Sequence, residues 1–493
     1  MRGFFLSMKK VSIIICTVFL IFGTYPHLSD FSLYDSKRIL QLAVLTIIGL
    51  FFCVIGIVSK RSYINFTINN LKFKNRILGL NFVLVVLLFS TSVSILLSNY
   101  PEKAVVDVLF HLILLLLAYL VSSTFLKEHY WLGKVIYITA LSYVGLYIVL
   151  FIGNYISSFL NPLISVWPNN VDYSIDIGDI SMLGKEVLFF VNRRFFNHTQ
   201  TWTFPLIIGL FVFFKRSKDY KNFTPLIFII ISLWWMMLFQ SGGRGTTLSI
   251  FVAAAFLWAF SRKDFTPFVR PLIVSSLAGW GLKYLLFDLP FSGSGQAVLR
   301  TQNNRTFRWE GALEVWWENP FFGIGPGHYG EIGPTQFVGH PHNYYLQILS
   351  EWGVFAFICI SILFFVAASF AWKKFEETKP GSTNRLNFLV MSWVFIAACC
   401  HAFFSGVMHT PLSQMWLVLI LAWFIGYYKR EYNYKFKTDR VPVMAYVISL
   451  AIVLYIVIPD VLTLSDMYQA YAEQYPGQSL YPRFWGQGLF PVE

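Results

Sequence analysis

Charge is scarce in this 493-residue chain: Asp, Glu, Lys and Arg make up only 13% of it, against roughly a quarter in an average soluble domain. That shortage excludes a water-facing surface over most of the length. Cysteine is scarce too, with five residues (Cys16, Cys53, Cys359, Cys399 and Cys400), all in apolar runs and none in a CxxC pair. They read as small core residues, not as a disulfide framework or metal site. There is no GxxxxGK[ST] loop, so nothing points to ATP hydrolysis. The chain also lacks internal repeats, low-complexity tracts and any stretch that reads as a soluble domain.

What remains is apolar. The hydrophobic fraction is 56%, with 51 Phe, 26 Tyr and 16 Trp, and mean hydropathy is +0.59. Such a chain faces lipid, and a crossing needs about 20 apolar residues. Candidate spans fall near 10–25, 39–58, 77–98, 104–126, 134–160, 199–214, 224–241, 246–261, 268–287, 344–372, 386–405, 412–428 and 441–460. The first follows Lys9 and Lys10 but has no small-x-small cleavage site, so it reads as an uncleaved helix. The expected fold is all-α and polytopic, with about 12–13 transmembrane helices.

Charge sorts these spans by side. Loops 1–10, 59–76, 127–134, 215–223, 262–267 with Arg270, 373–385 and 429–440 hold 26 Lys and Arg against 7 Asp and Glu. The rest of the chain holds 12 against 18. One orientation satisfies the positive-inside rule at every loop and puts the N-terminus in the cytoplasm. The chain then divides into an N-terminal bundle (1–160), an outer loop (161–198) and central helices with an SGGRG loop (199–287). A large outer loop (288–343), C-terminal helices (344–460) and an outer tail (461–493) complete it.

Within the large loop, RTFRWEGALEVWWEN (305–319) places Glu310, Glu314 and Glu318 beside a stripe of Trp309, Leu313 and Trp317. It reads as an amphipathic helix with a solvated acidic face, ended at Asn319-Pro320. The run GIGPGHYGEIGP (323–334) reads as turns. No outer loop carries an Asp-x-Asp pair, which argues against a metal-dependent sugar transferase.

Arginines on the acidic side run against the bias: Arg193, Arg194, Arg244, Arg300, Arg305 and Arg308. Arg244, in SGGRG (241–245), sits at or below the membrane surface, where a charge is costly and points to function. Flanking glycines admit a close ligand, and a guanidinium fork matches phosphate oxygens. A snorkelling Arg or an internal salt bridge explains it as well. In HPHNYYLQILSEWG (340–353), His340 and His342 flank Pro341 at the mouth of a span, with Asn343 next. A neutral His at a helix start suits a general base, and capping histidines are the plainer use. Two histidines alone make no metal site. Asp107 and His111, i and i+4 in the fourth span, fit a buried contact or a proton relay, and His401 lies deeper in the eleventh.

Four segments in order resemble the O-antigen ligase/polymerase superfamily of bacterial polytopic membrane proteins. They are NRRFFNHTQTWTFPL (192–206), SGGRGTTLSIFVA (241–253), RTFRWEGALEVWWENPFFGIGPGHY (305–329) and HPHNYYLQILSEWG (340–353). SGGRG has an extra Gly where many members have Ser directly before Arg. The run Trp316-Trp317-Glu318-Asn319-Pro320 is only superficially similar to the WWDYG signature of N-oligosaccharyltransferases, departing in its last three positions.

The resemblance implies transfer of a glycan from undecaprenyl diphosphate to an acceptor hydroxyl, such as that of the lipid A core, on the periplasmic face of the inner membrane. Arg244 and Arg305 match arginines that hold the diphosphate, and His342 matches the acceptor-activating base. Arg308, which has no clear counterpart in the family, joins them with Arg194, His340 and Asn343 as candidate substrate contacts, and neither metal nor other cofactor is implied. A polymerase and a protein O-oligosaccharyltransferase share this architecture, although the HPHN and NHTQTW segments favour the ligase branch. A transporter of lipid-linked glycan is the reading from another class. It would concentrate ionisable residues at the membrane midplane, whereas the polar weight here lies at the outer face.

Overall fold

The computed structural model describes residues 14–21, 31–58, 71–124, 129–160, 190, 193–288, 305–331, 339–431, 440–474 and 483–486. In lipid, every backbone donor and acceptor must be satisfied within its own segment, so long apolar runs fold as helices. The first are α1 (14–21), α2 (Leu33–Val58), α3 (Leu71–Leu97), α4 (Pro101–Thr124) and α5 (His129–Leu160). The central set is α6 (Arg193–Arg216), α7 (Thr224–Gln240), α8 (Arg244–Phe260) and α9 (Arg262–Lys283). The short α10 (Arg305–Glu318) precedes α11 (Tyr344–Glu377), α12 (Thr383–Ala402), α13 (Pro411–Glu431) and α14 (Arg440–Gln474). No strand occurs among the described residues.

The chain is therefore an all-α polytopic membrane protein. Among the described residues, seven helices are long and apolar enough to cross a bilayer: α3, α4, α5, α7, α11, α12 and α14. Helix α8 and the apolar part of α13 are shorter. Helices α6 and α9, at two further stretches read as spans, carry more polar residues. The first opens on Arg193 and Arg194, and the second carries Asp264, Pro267 and Pro271.

Exposure is the reverse of a soluble protein's. Phe82, Val85, Leu88 and Phe89 on α3, with Tyr455 and Leu462 on α14, lie exposed. The polar run of α6, from Asn197 through Thr201, is buried instead. Polar side chains in such a bundle must bond one another across helices. Tyr143 on α5 donates to Thr199 Oγ1 at 2.8 Å, and Trp234 on α7 donates to Thr203 Oγ1 at 3.1 Å. Helix α6 is thus a polar axis, packed against α5, α7, α8, α9, α12 and α13.

Part of the stretch read as an outer tail packs against the bundle. Helix α14 runs on to Gln474, past the span end expected at 460. Beyond it, Arg483, Phe484 and Trp485 are buried in the bundle. Trp485 Nε1 donates to Asp460 at 3.1 Å, and the Gly486 N–H donates to Asp35 at 2.6 Å.

Candidate active site

The HPHN segment is a loop held from both ends. Asn343 is the N-cap of α11, its Oδ1 accepting the N–H groups of Tyr345 at 3.1 Å and Leu346 at 3.2 Å, a favoured capping arrangement. The side-chain oxygen of Asn343, a residue expected to meet substrate, is thereby engaged by the helix. His340 is buried against Gly406 and His409, and its Nδ1 accepts the backbone N–H of His342 at 3.0 Å. His342 itself has a φ of 58°, a left-handed conformation uncommon outside glycine. Such strain persists only where the surroundings hold it, and it marks functional positions.

Three of the expected arginines converge on His342. Arg194, in the first turn of α6, donates through Nη1 to His342 Nε2 at 3.2 Å. A guanidinium has only donors, so Nε2 is the acceptor and the ring proton rests on Nδ1. That Nδ1 is buried without a hydrogen-bond partner among the described residues. Burial holds His342 well below its ordinary value of 6.5, and His340, Arg308, Arg194 and Arg305 push the same way. Burial, with Arg483, Arg308 and Arg194, takes His340 down to about 3. Both rings are therefore neutral at pH 7, inside a positively charged enclosure. Arg308, on α10, is itself lowered by burial and by Arg305.

Arg244 enters none of these contacts. It is the exposed first residue of α8, and no carboxylate pairs with it among the described residues. Its helix start is tied to α6, where Ser241 donates to Asn197 Oδ1 at 2.7 Å and Thr246 to the Asn197 carbonyl at 3.0 Å. Gly245 lies against His401, which Arg305 also reaches electrostatically.

The two Gly-containing motifs turn out to be one structure. Helix α11 kinks at Gly353, whose φ is 76°. A Cβ there would run into the Phe321 carbonyl, and one at Gly323 would meet the Glu351 carbonyl. Glu351 also caps the Gly-rich turn, its carboxylate accepting the N–H of Gly327 at 3.1 Å and of Tyr329 at 3.2 Å. The Tyr329 hydroxyl donates to the Arg308 carbonyl at 2.7 Å, so this turn sets where α10 presents its arginines.

Sequence reasoning singled out Asp107 and His111 but missed Arg483, His409 and Arg38, which complete a buried polar layer behind the histidine loop. Glu351 is paired at 2.7 Å with Arg483, whose Nη1 lies 3.2 Å from His409 Nε2. His409 contacts Gln347 Oε1 at 2.7 Å. Asp107 faces Arg483 at 3.5 Å, while His111 Nδ1 approaches the Asp107 carbonyl at 2.7 Å. A second buried arginine, Arg38, is held by Gln41 and Gln414 at 2.6 and 2.7 Å. The sequence signals were the Asp107–His111 spacing, a charge at the start of an apolar run and a carboxylate inside α11. Although histidines crowd here, no set of three His, Cys or carboxylate groups is arranged to hold a metal ion among the described residues.

Residues 226–361 match a family model described as O-antigen ligase. The matched stretch runs from α7 into α11 and contains Arg244, Arg305, Arg308, His340, His342 and Glu351, while Arg194, Asp107 and Arg483 lie outside it. It supports the O-antigen ligase superfamily. No curated protein matches the chain.

Proposed function

From a chain whose central stretch is of the O-antigen ligase family, we propose a ligase that moves a glycan from undecaprenyl diphosphate to an acceptor hydroxyl of the lipid A core. The reaction runs at the periplasmic face of the inner membrane. The observation that carries this reading is the gathering of Arg194, Arg305 and Arg308 around a buried, neutral His342. Cations placed where negative charge develops stabilise a leaving diphosphate, commonly the largest catalytic contribution.

On donor binding the diphosphate, a charged bidentate partner, draws Arg194 away from the imidazole. The Nε2 lone pair then accepts the proton of the acceptor hydroxyl. The new bond forms from that oxygen to the anomeric carbon as the carbon–oxygen bond to the diphosphate breaks, with inversion. Arg244 adds a further diphosphate contact from the start of α8.

The test is deletion of the gene in its host, with lipopolysaccharide run on a gel beside carrier-linked glycan. Loss of all polymer from the core, with long polymer on the carrier, is the expected result. A core bearing one repeat unit would instead make the chain a polymerase. An unchanged ladder would remove both readings in favour of glycosylated protein or transport.

A further inference from the structure

Arg483 belongs to no motif and lies outside the matched stretch, yet its side chain is held in the bundle behind the histidine loop and is only 4% exposed. Its backbone carbonyl accepts the Tyr34 hydroxyl at 2.8 Å, which fixes the C-terminal segment against α2. From there one guanidinium touches the supports of both active-site loops. Through Nη2 it bonds Glu351 at 2.7 Å, and Glu351 holds the N–H groups of Gly327 and Tyr329. Tyr329 in turn bonds the Arg308 carbonyl. Through Nη1 it lies 3.2 Å from His409, whose ring is 5.5 Å from that of His340. His340 then accepts the backbone N–H of His342.

We propose that Arg483 is a positioning residue of the transfer site, the tie by which the C-terminal segment sets Arg308 and His342 in register. The assignment rests on the transfer reading above. A plain anchor would not need this chemistry, since apolar groups of similar volume replace buried ion pairs at little or no cost in stability. Here a charge is present, and it sits at the root of both loops.

The charge has a second consequence. His340 is faced by His342 on its own loop, by His409, by Arg483, by Arg308 of α10, and by Arg194 and His198 of α6. After burial, Arg483 is the first of the cations that keep His340 neutral. Without it the pKa of His340 rises, while burial, Arg308 and Arg194 still hold it below 6.5. Once protonated, Nδ1 no longer accepts the His342 N–H, so the loop is lost as pH falls.

The experiment uses the full chain in lipid nanodiscs, with undecaprenyl-diphosphate-linked glycan and rough-core lipid A as probes. Arg483→Met is expected to lower kcat roughly 10²-fold, the scale of an ångström-sized misplacement. The donor KM should stay largely unchanged, and the acid limb of the pH profile should move up. Arg483→Lys, which keeps the charge, should restore the wild-type acid limb. Should Arg483→Met fail to fold, the triple variant Arg483→Met, Glu351→Gln and Asp107→Asn removes the three buried charges of the cluster together, and is expected to fold with low kcat. A folded variant with wild-type kcat would overturn the assignment. So would a lower melting temperature with an unmoved acid limb, which would make Arg483 an anchor alone. A wild-type chain that transfers nothing would overturn the transfer reading and this assignment with it, a pattern distinct from the other two.

Discussion

The guanidinium of Arg194 donates to Nε2 of His342 at 3.2 Å, joining the start of α6 to the loop before α11. Burial, then His340, Arg308, Arg194 and Arg305, keep that imidazole well below 6.5. Its base form is therefore present at pH 6.5 and is lost only on further acidification. The profile of kcat/KM is expected to run level through pH 6.5, with its acid limb lower. Arg194→Ala removes a cation, favours the protonated ring and so raises the pKa. The acid limb of that variant should shift upward, and an unmoved limb would count against His342 as the titrating base.

His342→Asn separates chemistry from conformation. Asparagine tolerates the left-handed backbone that His342 adopts, so the loop should persist while the base is gone. Turnover should fall by roughly 10²–10⁴-fold, the usual contribution of general-base catalysis. Donor KM should barely move, because the arginines remain. Full activity in this variant, with the melting temperature unchanged, would leave the acceptor without a base at this position.

Much of this was legible in the sequence, for physical reasons that also mark where legibility ended. Span lengths mark which stretches become helices in lipid, and helix α10 forms at the stripe of Trp309, Leu313 and Trp317. Leu313 and Trp317 are exposed, however, and its buried face is Gly311, Ala312 and Val315. The strained His342 sits inside a motif read directly from the chain. Glu351 and Gly353 were visible as letters of that motif, but their partners Gly327, Tyr329 and Phe321 were not. The turn that unites them depends on positive φ values at Gly323 and Gly325. Asp107 pairs by spacing with His111, yet its carboxylate faces Arg483, more than three hundred residues on. A lone arginine near the C-terminus has no period or neighbour to announce such a contact.

Arg305 and Arg308 differ from His342 in the parameter they should affect. Hydrogen bonds to charged groups contribute about 1.5–3 kcal/mol, so Arg305→Ala should raise the donor KM roughly ten- to hundred-fold. Arg305→Lys keeps the charge but not the two-pronged fork, and only part of the affinity should return. The same assay ranks Arg244, which stands apart from the cluster in contacts. An Arg244→Ala variant with unaltered KM and kcat would remove it from the diphosphate site and leave Arg194, Arg305 and Arg308 to hold it.

Gly353→Ala tests whether the Gly-rich turn belongs to the site or merely lies beside it. The substituted Cβ must adopt a φ of 76° and displace the Phe321 carbonyl. Backbone strain of this kind costs of order 1–3 kcal/mol, which a melting curve in detergent should register as a lower midpoint. Helix α11 would relieve the strain by straightening, and that movement pulls Glu351 from the N–H groups of Gly327 and Tyr329. Arg308, tied to Tyr329 through its carbonyl, would follow. Activity should therefore fall further than the loss of folded protein explains, with the excess appearing in donor KM. If activity and folded fraction decline in step, the turn is a packing element, and Arg308 owes its position to α10 alone.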